Sequence, residues 1–253
     1  MVGNRSPSVD DLPAARIPEP QRFAHEVLAV VAQVRDGELC VLAWQRAREP
    51  FSQTWALPGG RLGAGESADA SITRHLAAKV DVASLSHLEQ LETRAAPDRV
   101  PGERVLATAY LGVVAADVRC RLPLDTAWQR ADALPAMAFD HGLLVDSGVG
   151  RLRAKLSYTN LGFALGPEEF TISELRRIYE AALGHELDPT NLQRVLVRRG
   201  SIEPTGELSP SGRAGGRPAT RYRFSTRELT VTDPFAALRP PRGQMSDSVE
   251  SLI

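Results

Sequence analysis

Lysine is nearly missing from this chain of 253 residues: Lys79 and Lys155 are the only two, against twenty-eight arginines. The skew runs the whole length, so an arginine counts as a phosphate-binding candidate only where its neighbours argue for it too. Cysteine is equally scarce. Cys40 and Cys120 make neither a zinc-type spacing nor a secreted disulfide framework, and reduced thiols are the expectation. No segment approaches the roughly 20 apolar residues needed to cross a bilayer, and the N-terminus lacks a basic-then-apolar leader. A soluble, cytoplasmic protein without membrane contact is therefore expected. Neither sign of charge is in excess, since 30 basic and 31 acidic side chains give a formal net charge of −1. That excludes a uniformly basic coat for nucleic acid, so any such contact has to come from a local patch.

The length predicts two domains with enough apolar content for a core. Prolines at 7, 13, 18 and 20 among polar residues mark 1–22 as a flexible arm, and Pro240-Pro241 with a serine-rich end does the same for 228–253. Between them, 23–140 reads as strands with one helix. His25 to Val34, Leu39 to Ala43 and Arg104 to Val114 are the clearest strands. A helix over 141–160, with Val145, Val149, Leu152 and Leu156 on one face, bridges to a second domain at 161–227.

Within the first domain, Ser67 to Val80 predicts an amphipathic helix, because Ile72, Leu76 and Val80 recur at four-residue spacing. The turn Trp55-Ala56-Leu57-Pro58-Gly59-Gly60 precedes it. Gly60, Glu66, Arg74, Leu76 and Val82 fit the register of a Nudix box: Gly, five residues, Glu, seven residues, then Arg-Glu-U-x-Glu-Glu-x-Gly-U, with U aliphatic. His75, Ala78 and Lys79 stand where that box has its metal-binding glutamates. Magnesium demands oxygen ligands, and this chain offers an imidazole, a methyl and an ammonium. A cation roughly 4 Å from a dication is repelled by several kcal/mol. The expectation is a non-enzyme with no catalytic residues, no metal and no cofactor.

The second domain carries different signals. Thr171 and Glu174 form a capping box ahead of a helix in which Ile172, Leu175, Tyr179 and Ala182 share a face, ending at Gly184. Asp188-Pro189 starts another helix that stops at Gly200. Two short helices joined by a brief turn make a helix-turn-helix. In the second, Leu192, Val195 and Leu196 pack inward, leaving Thr190, Asn191, Arg194 and Arg198 outward and Arg199 at the edge, toward phosphate. Such a stripe suits a major groove, and it suits equally well an ordinary solvated face. The loop from Gly212 to Arg217, with Arg213 and Arg217, leads into the alternating Thr220-Arg221-Tyr222-Arg223-Phe224, a strand whose Arg221 adds to the patch. Together they predict a hairpin with a cationic tip, a wing. From Asp188 to Arg227 there are eight arginines against three acidic residues, so the charge is local.

A degenerate Nudix domain followed by a winged helix-turn-helix resembles the Nudix-related transcriptional regulators of bacterial NAD metabolism. Leu88-Glu89-Gln90-Leu91, Phe139-Asp140-His141, Lys155-Leu156-Ser157-Tyr158-Thr159 and Gly216-Arg217-Pro218-Ala219 are similar to recurring segments of that family, in order, over about Glu26 to Phe224. The resemblance implies an α+β fold, a Nudix α/β/α sandwich followed by a winged helix-turn-helix domain. It implies a homodimeric repressor whose Nudix half senses ADP-ribose or a related NAD-derived nucleotide and whose winged half binds a palindromic operator near NAD biosynthesis or salvage genes, ligand releasing DNA. Arg46, Arg61 and Arg74 are candidates for the pyrophosphate, with Gly60 and His75 beside them and Glu66 for a ribose hydroxyl. For Glu66 and Arg74 a structural ion pair stands as an equal reading. Two rival functions stay open: a magnesium-dependent ADP-ribose or nucleotide pyrophosphatase that rebuilds its site from Glu66, Glu89, Glu92 or Glu103, and an RNA-binding or scaffolding module.

Overall fold

The computed structural model describes residues 22–79, 85–209 and 218–233. Residues 1–21 of the predicted arm, Val80 at the end of the predicted helix, the box position Val82, the loop arginines Arg213 and Arg217 and the residues from 234 onward lie outside that range.

Strand β1 (Ala24–Arg35) is apolar along most of its length because both of its faces are covered. Val27, Ala29 and Val31 point to one side and Leu28 and Val30 to the other, each 3% exposed or less. It sits at the centre of a seven-stranded sheet. β2 (Glu38–Gln45) and β4 (Gly59–Arg61) run antiparallel to β1, and β6 (Val105–Val114) runs parallel to it. β3 (Trp55–Ala56) and β7 (Thr126–Arg130) extend the sheet from β2, and β5 (Leu85–Arg94) pairs with β6. In the β1–β4 register Glu26 lies opposite Arg61, so their side chains share a face.

Helix α1 (Ala68–Lys79) covers one face through Ile72 and Leu76, both 0% exposed. Each contributes about 1.5–3 kcal/mol of apolar burial. Helix α2 (His141–Tyr158) covers the other through Leu144 and Val145. Gly148, which weakens α2 on propensity, has a packing reason: a Cβ there would lie 2.7 Å from Val30 Cγ1 on β1. The helix comes that close only because the side chain is absent.

The second half contains α3 (Gly162–Leu165), β8 (Phe170–Thr171), α4 (Ile172–Leu183), α5 (Pro189–Arg198), β9 (Ile202–Leu208) and β10 (Thr220–Phe224). Its three strands run in the order β8-β10-β9. The capping box is present at α4: the Glu174 backbone N–H donates to Thr171 Oγ1 (3.3 Å) and the Thr171 N–H to Glu174 Oε2 (2.7 Å). Asp188 caps α5 by accepting from the Asn191 N–H at 2.6 Å, with Pro189 in the first turn. An α/β/α sandwich followed by a winged helix-turn-helix is the fold the sequence predicts.

Two features depart from the sequence reading. One of the apolar clusters runs across both halves: Ala32, Val34, Leu39, Leu111 and Val113 of the sheet, Leu152 and Leu156 of α2, and Phe163, Leu175, Tyr179, Leu196 and Phe224 of the winged half belong to it, whereas the two clusters on either side of β1 are built without the winged half. Part of the expected tail is also ordered. Residues 228–233 are held in place, because Asn160 donates from Nδ2 to the Glu228 carbonyl (2.8 Å) and accepts at Oδ1 from the Thr230 N–H (2.7 Å), while the Thr232 and Asp233 N–H groups donate to the Tyr158 carbonyl. A polar sequence reads as a tail, but here its backbone groups find partners at the end of α2.

Candidate ligand pocket and nucleic-acid interface

The residues predicted around the broken box fall into two groups. Glu66 and Arg74 bind each other: Arg74 donates to Glu66 from Nε (3.0 Å) and from a terminal nitrogen (2.5 Å), and the Gly63 N–H adds a 2.7 Å bond. Those hydrogen bonds, Arg74 first, hold the Glu66 pKa down at about 2, so the carboxylate stays ionised at any working pH. The ion-pair reading is what the geometry favours for this pair. His75 packs on β4, its Nε2 lying 3.2 Å from the Arg61 carbonyl. A Cβ on Gly60 would meet that ring at 2.3 Å. Gly60→Ala is therefore expected to cost about 1–3 kcal/mol by overpacking, and His75→Ala to recover most of it. A urea-unfolding double-mutant cycle that finds the two additive would remove the contact from the account.

The carboxylates that a rebuilt metal site would need are each engaged by cations instead. Glu103 pairs with Arg61, Glu92 with Arg94 at 2.7 Å, and Glu89 with Lys155 at 2.7 Å. Among the described residues, no group of three or more His, Cys, Asp or Glu side chains is placed to hold a metal ion.

Arg46 lies apart from this helix, its Nε donating to the Pro50 carbonyl at 3.1 Å. Its guanidinium sits 4.8 Å over the Phe139 ring, which meets Phe51 edge-on at 4.8 Å. Phe51 and Phe139 form aromatic walls of a cavity of about 730 Å³, also lined by Arg94, Asp98, Arg99, Met137, Asp140 and Asp146. At its base the Arg99 guanidinium, 1% exposed, is clamped by Glu26 (2.6 Å) and by both oxygens of Asp140 (2.8 and 3.1 Å). Burial opposes its charge, yet the hydrogen bonds to Asp140 and Glu26 outweigh this and raise its pKa. Glu26 shares its face with Arg61, so the pocket base adjoins the Arg61–Glu103 pair. A second cavity of about 570 Å³ lies between the sheet edge and α4, with Glu38, Asp132, Glu180 and Glu186 against Arg153 and Arg177. It has no Phe, Tyr or Trp wall and an acidic surplus, which disfavours a nucleotide.

Sequence reading missed Phe51 and Arg99, because nothing local marks them; only Phe139-Asp140-His141 carried a signal. His141 is buried behind Phe139 and accepts the Leu57 N–H through Nδ1 at 3.0 Å. Burial pushes its pKa down to about 4. The unfolded chain, with an imidazole pKa near 6.5, takes up this proton first as pH falls. Stability conferred by a neutral His141 is thus present above about pH 6.5 and lost toward pH 4. Between pH 7 and 4.5 the loss is expected to be about 2–3 kcal/mol. Urea unfolding at both values should show it in the wild type and not in His141→Gln, and equal pH slopes would contradict the assignment.

The other candidate surface is α5. Leu192, Val195 and Leu196 are buried, while Thr190, Asn191, Arg194 and Arg198 are exposed, as expected from the spacing. Arg194 donates to Asn191 Oδ1 at 2.7 Å, which links the two residues of the stripe that can hydrogen-bond base edges. On the wing, Gln193 donates to the Tyr222 hydroxyl at 2.8 Å and ties α5 to β10. Arg221 is half-buried and paired with Glu169 at 3.1 Å, so its charge is partly spent. Arg199 corrects the expectation outright. Its side chain is 3% exposed, donates to Asp233 at 2.6 Å and to the Ser157 carbonyl at 2.9 Å, and cannot reach a phosphate.

Two known families match successive parts of the chain: one described as NUDIX domain over residues 24–141, and one described as NrtR DNA-binding winged helix domain over residues 162–224. A curated relative, the ADPR responsive transcriptional repressor NtrR of Acinetobacter baylyi, is 33% identical over 211 residues, covering 81% of this chain and 83% of its own. The crystal structure of Shewanella oneidensis NrtR is similar with a TM-score of 0.68 at 29% identity, over 85% of this chain and 98% of that one. The same Shewanella protein complexed with a 27mer DNA gives 0.66 at 30% identity, over 79% and 92%.

Proposed function

The chain belongs to the NrtR family of Nudix-domain transcriptional regulators, and from that premise we propose that it is a DNA-binding repressor of NAD biosynthesis or salvage genes, released from its operator by ADP-ribose or a related NAD-derived nucleotide. The observation that carries this reading is one of composition and placement. His75, Ala78 and Lys79 stand where a Nudix enzyme has metal ligands, while a helix presenting Thr190, Asn191, Arg194 and Arg198 packs into an apolar cluster that also takes in the first domain's sheet. It acts as a homodimer on a palindrome, with half-sites about 34 Å apart or a multiple of that.

The pocket between Phe51 and Phe139 is where the nucleotide binds. Aromatic faces suit a base, the rim carboxylates Asp98 and Asp146 suit ribose hydroxyls, and Arg46 and Arg94 suit the pyrophosphate. Residues at the start of α2, Asp140, Gly142, Leu143 and Asp146, line this pocket. At the far end of the helix, about 27 Å away at 1.5 Å per residue, the Ser157 carbonyl receives Arg199, the residue that ends the recognition helix. Lys155 and Arg151 hold α2 laterally to β5 through Glu89 and the Leu91 carbonyl. A nucleotide that prefers one position of the first turns of α2 shifts the seat of α5, and with it the spacing of two winged halves in the dimer.

Calorimetric titration of ADP-ribose with magnesium present, followed by chromatography of the mixture, tests the sensor against the enzyme. Binding at one site per chain with no AMP formed is expected. Magnesium-dependent AMP production that disappears on changing Glu66, Glu89, Glu92 or Glu103 would make the protein a pyrophosphatase.

A further inference from the structure

The recognition helix carries one exposed residue that its polar stripe does not explain. Val197 is 48% exposed, and it takes no part in the buried face made by Leu192, Val195 and Leu196. Successive helical residues turn by about 100°, so Val197 lies roughly 60° around from Arg194. It falls on the side of Gln193, the residue held to the wing by the Tyr222 hydroxyl. Its Cβ leans toward the helix N-terminus, which lays the isopropyl group beside Arg194 rather than beyond the helix end. A β-branched side chain in a helix has one strongly preferred rotamer, so this apolar surface is fixed in place before any partner arrives.

On the reading that α5 enters a major groove, we infer that Val197 reads the 5-methyl group of a thymine. Arg194 and Arg198 lie together on one side of it, with positive charge that complements the phosphate-lined groove. Within that groove the one apolar group offered by any base edge is the thymine methyl. Phosphate, sugar hydroxyls and the edges of guanine, adenine and cytosine give a valine nothing to replace the water it loses. Arg194 and Asn191 then read hydrogen-bonding edges, and Val197 discriminates at a neighbouring position by shape and hydration alone.

Deoxyuridine provides the test, because it deletes only the methyl. A duplex is selected from random DNA by the wild-type protein, and each thymine in a half-site is replaced singly by deoxyuridine. Anisotropy titrations then compare the wild type with Val197→Ala. One thymine per half-site should matter to the wild type by roughly 4-fold, the value of about one buried methylene-sized group. Val197→Ala should bind the thymine and deoxyuridine duplexes equally, with an unchanged melting temperature because the side chain is exposed. A variant that keeps the wild-type preference, or a wild type indifferent to every methyl, overturns the inference while leaving DNA binding intact. Selection that enriches no duplex at all overturns the DNA-binding reading itself, and the role of Val197 with it.

Discussion

Arg199→Ala lowers the stability of the folded chain by about 3–5 kcal/mol and its melting temperature by roughly 6–20 °C. The side chain is 3% exposed, and its partner Asp233 is 12% exposed. Removing the guanidinium takes from Asp233 the hydrogen bonds it accepts from Arg199 in a site with little water, and it leaves the Ser157 carbonyl without the bond it receives at 2.9 Å. The penalty is that of breaking a buried ion pair from one side, far above the worth of an exposed one. The neighbouring Arg198→Ala is the contrast, since that side chain is exposed. It should leave the melting temperature unchanged and weaken binding to an operator duplex. Thermal melts and duplex titrations of the two variants separate structure from recognition. If Arg199→Ala melted like the wild type and weakened all duplexes alike, Arg199 would be a phosphate contact after all.

Arg99→Ala carries the other large effect, a loss of about 3–5 kcal/mol by the same physics. Arg99 is more deeply committed, with Glu26 on one side and both oxygens of Asp140 on the other. Without it two carboxylates face one another at the base of the aromatic pocket. Asp140 is also the residue that begins α2, and it makes no side-chain cap of its own because Arg99 takes its carboxylate. The variant should therefore lose nucleotide binding along with stability, because the pocket base and the start of α2 are one structure. Arg99→Lys keeps the charge but not the two-pronged geometry, and it should fall between the two. Urea unfolding is the measurement, and an Arg99→Ala variant within about 0.5 kcal/mol of wild type, the range of an ordinary surface substitution, would remove the clamp from the account.

What could be read in advance was local. The Thr171–Glu174 box, the Asp188-Pro189 start of α5 and the four-residue spacing of Ile72 and Leu76 depend on neighbours in sequence, and each formed as expected. The candidate site was legible only where it repeats a motif. Gly60, Arg61, Glu66, Arg74 and His75 were found from the box, yet the structure spends Glu66 and Arg74 on each other and Arg61 on Glu103. Arg99 has no periodicity to betray it: its role depends on Glu26, 73 residues away, and Asp140, 41 residues away. Arg199 was misplaced for the same reason. A helical projection puts it at the edge of the exposed face, and its burial depends on Asp233, 34 residues on, in a segment that reads as tail. The apolar cluster that spans both halves was equally hidden, because apolar periodicity shows that a face is buried and not what buries it.

The central claim is that this protein holds DNA through α5 and lets it go when a nucleotide fills the pocket at the start of α2. The direct measurement is fluorescence anisotropy of a labelled duplex from the DNA upstream of its own gene, bound by the protein at physiological salt and titrated with ADP-ribose. Anisotropy is expected to fall to the value of free duplex as ADP-ribose saturates, and AMP at the same concentrations is expected to do less. Anisotropy that stays at the bound value through saturating ADP-ribose would contradict it.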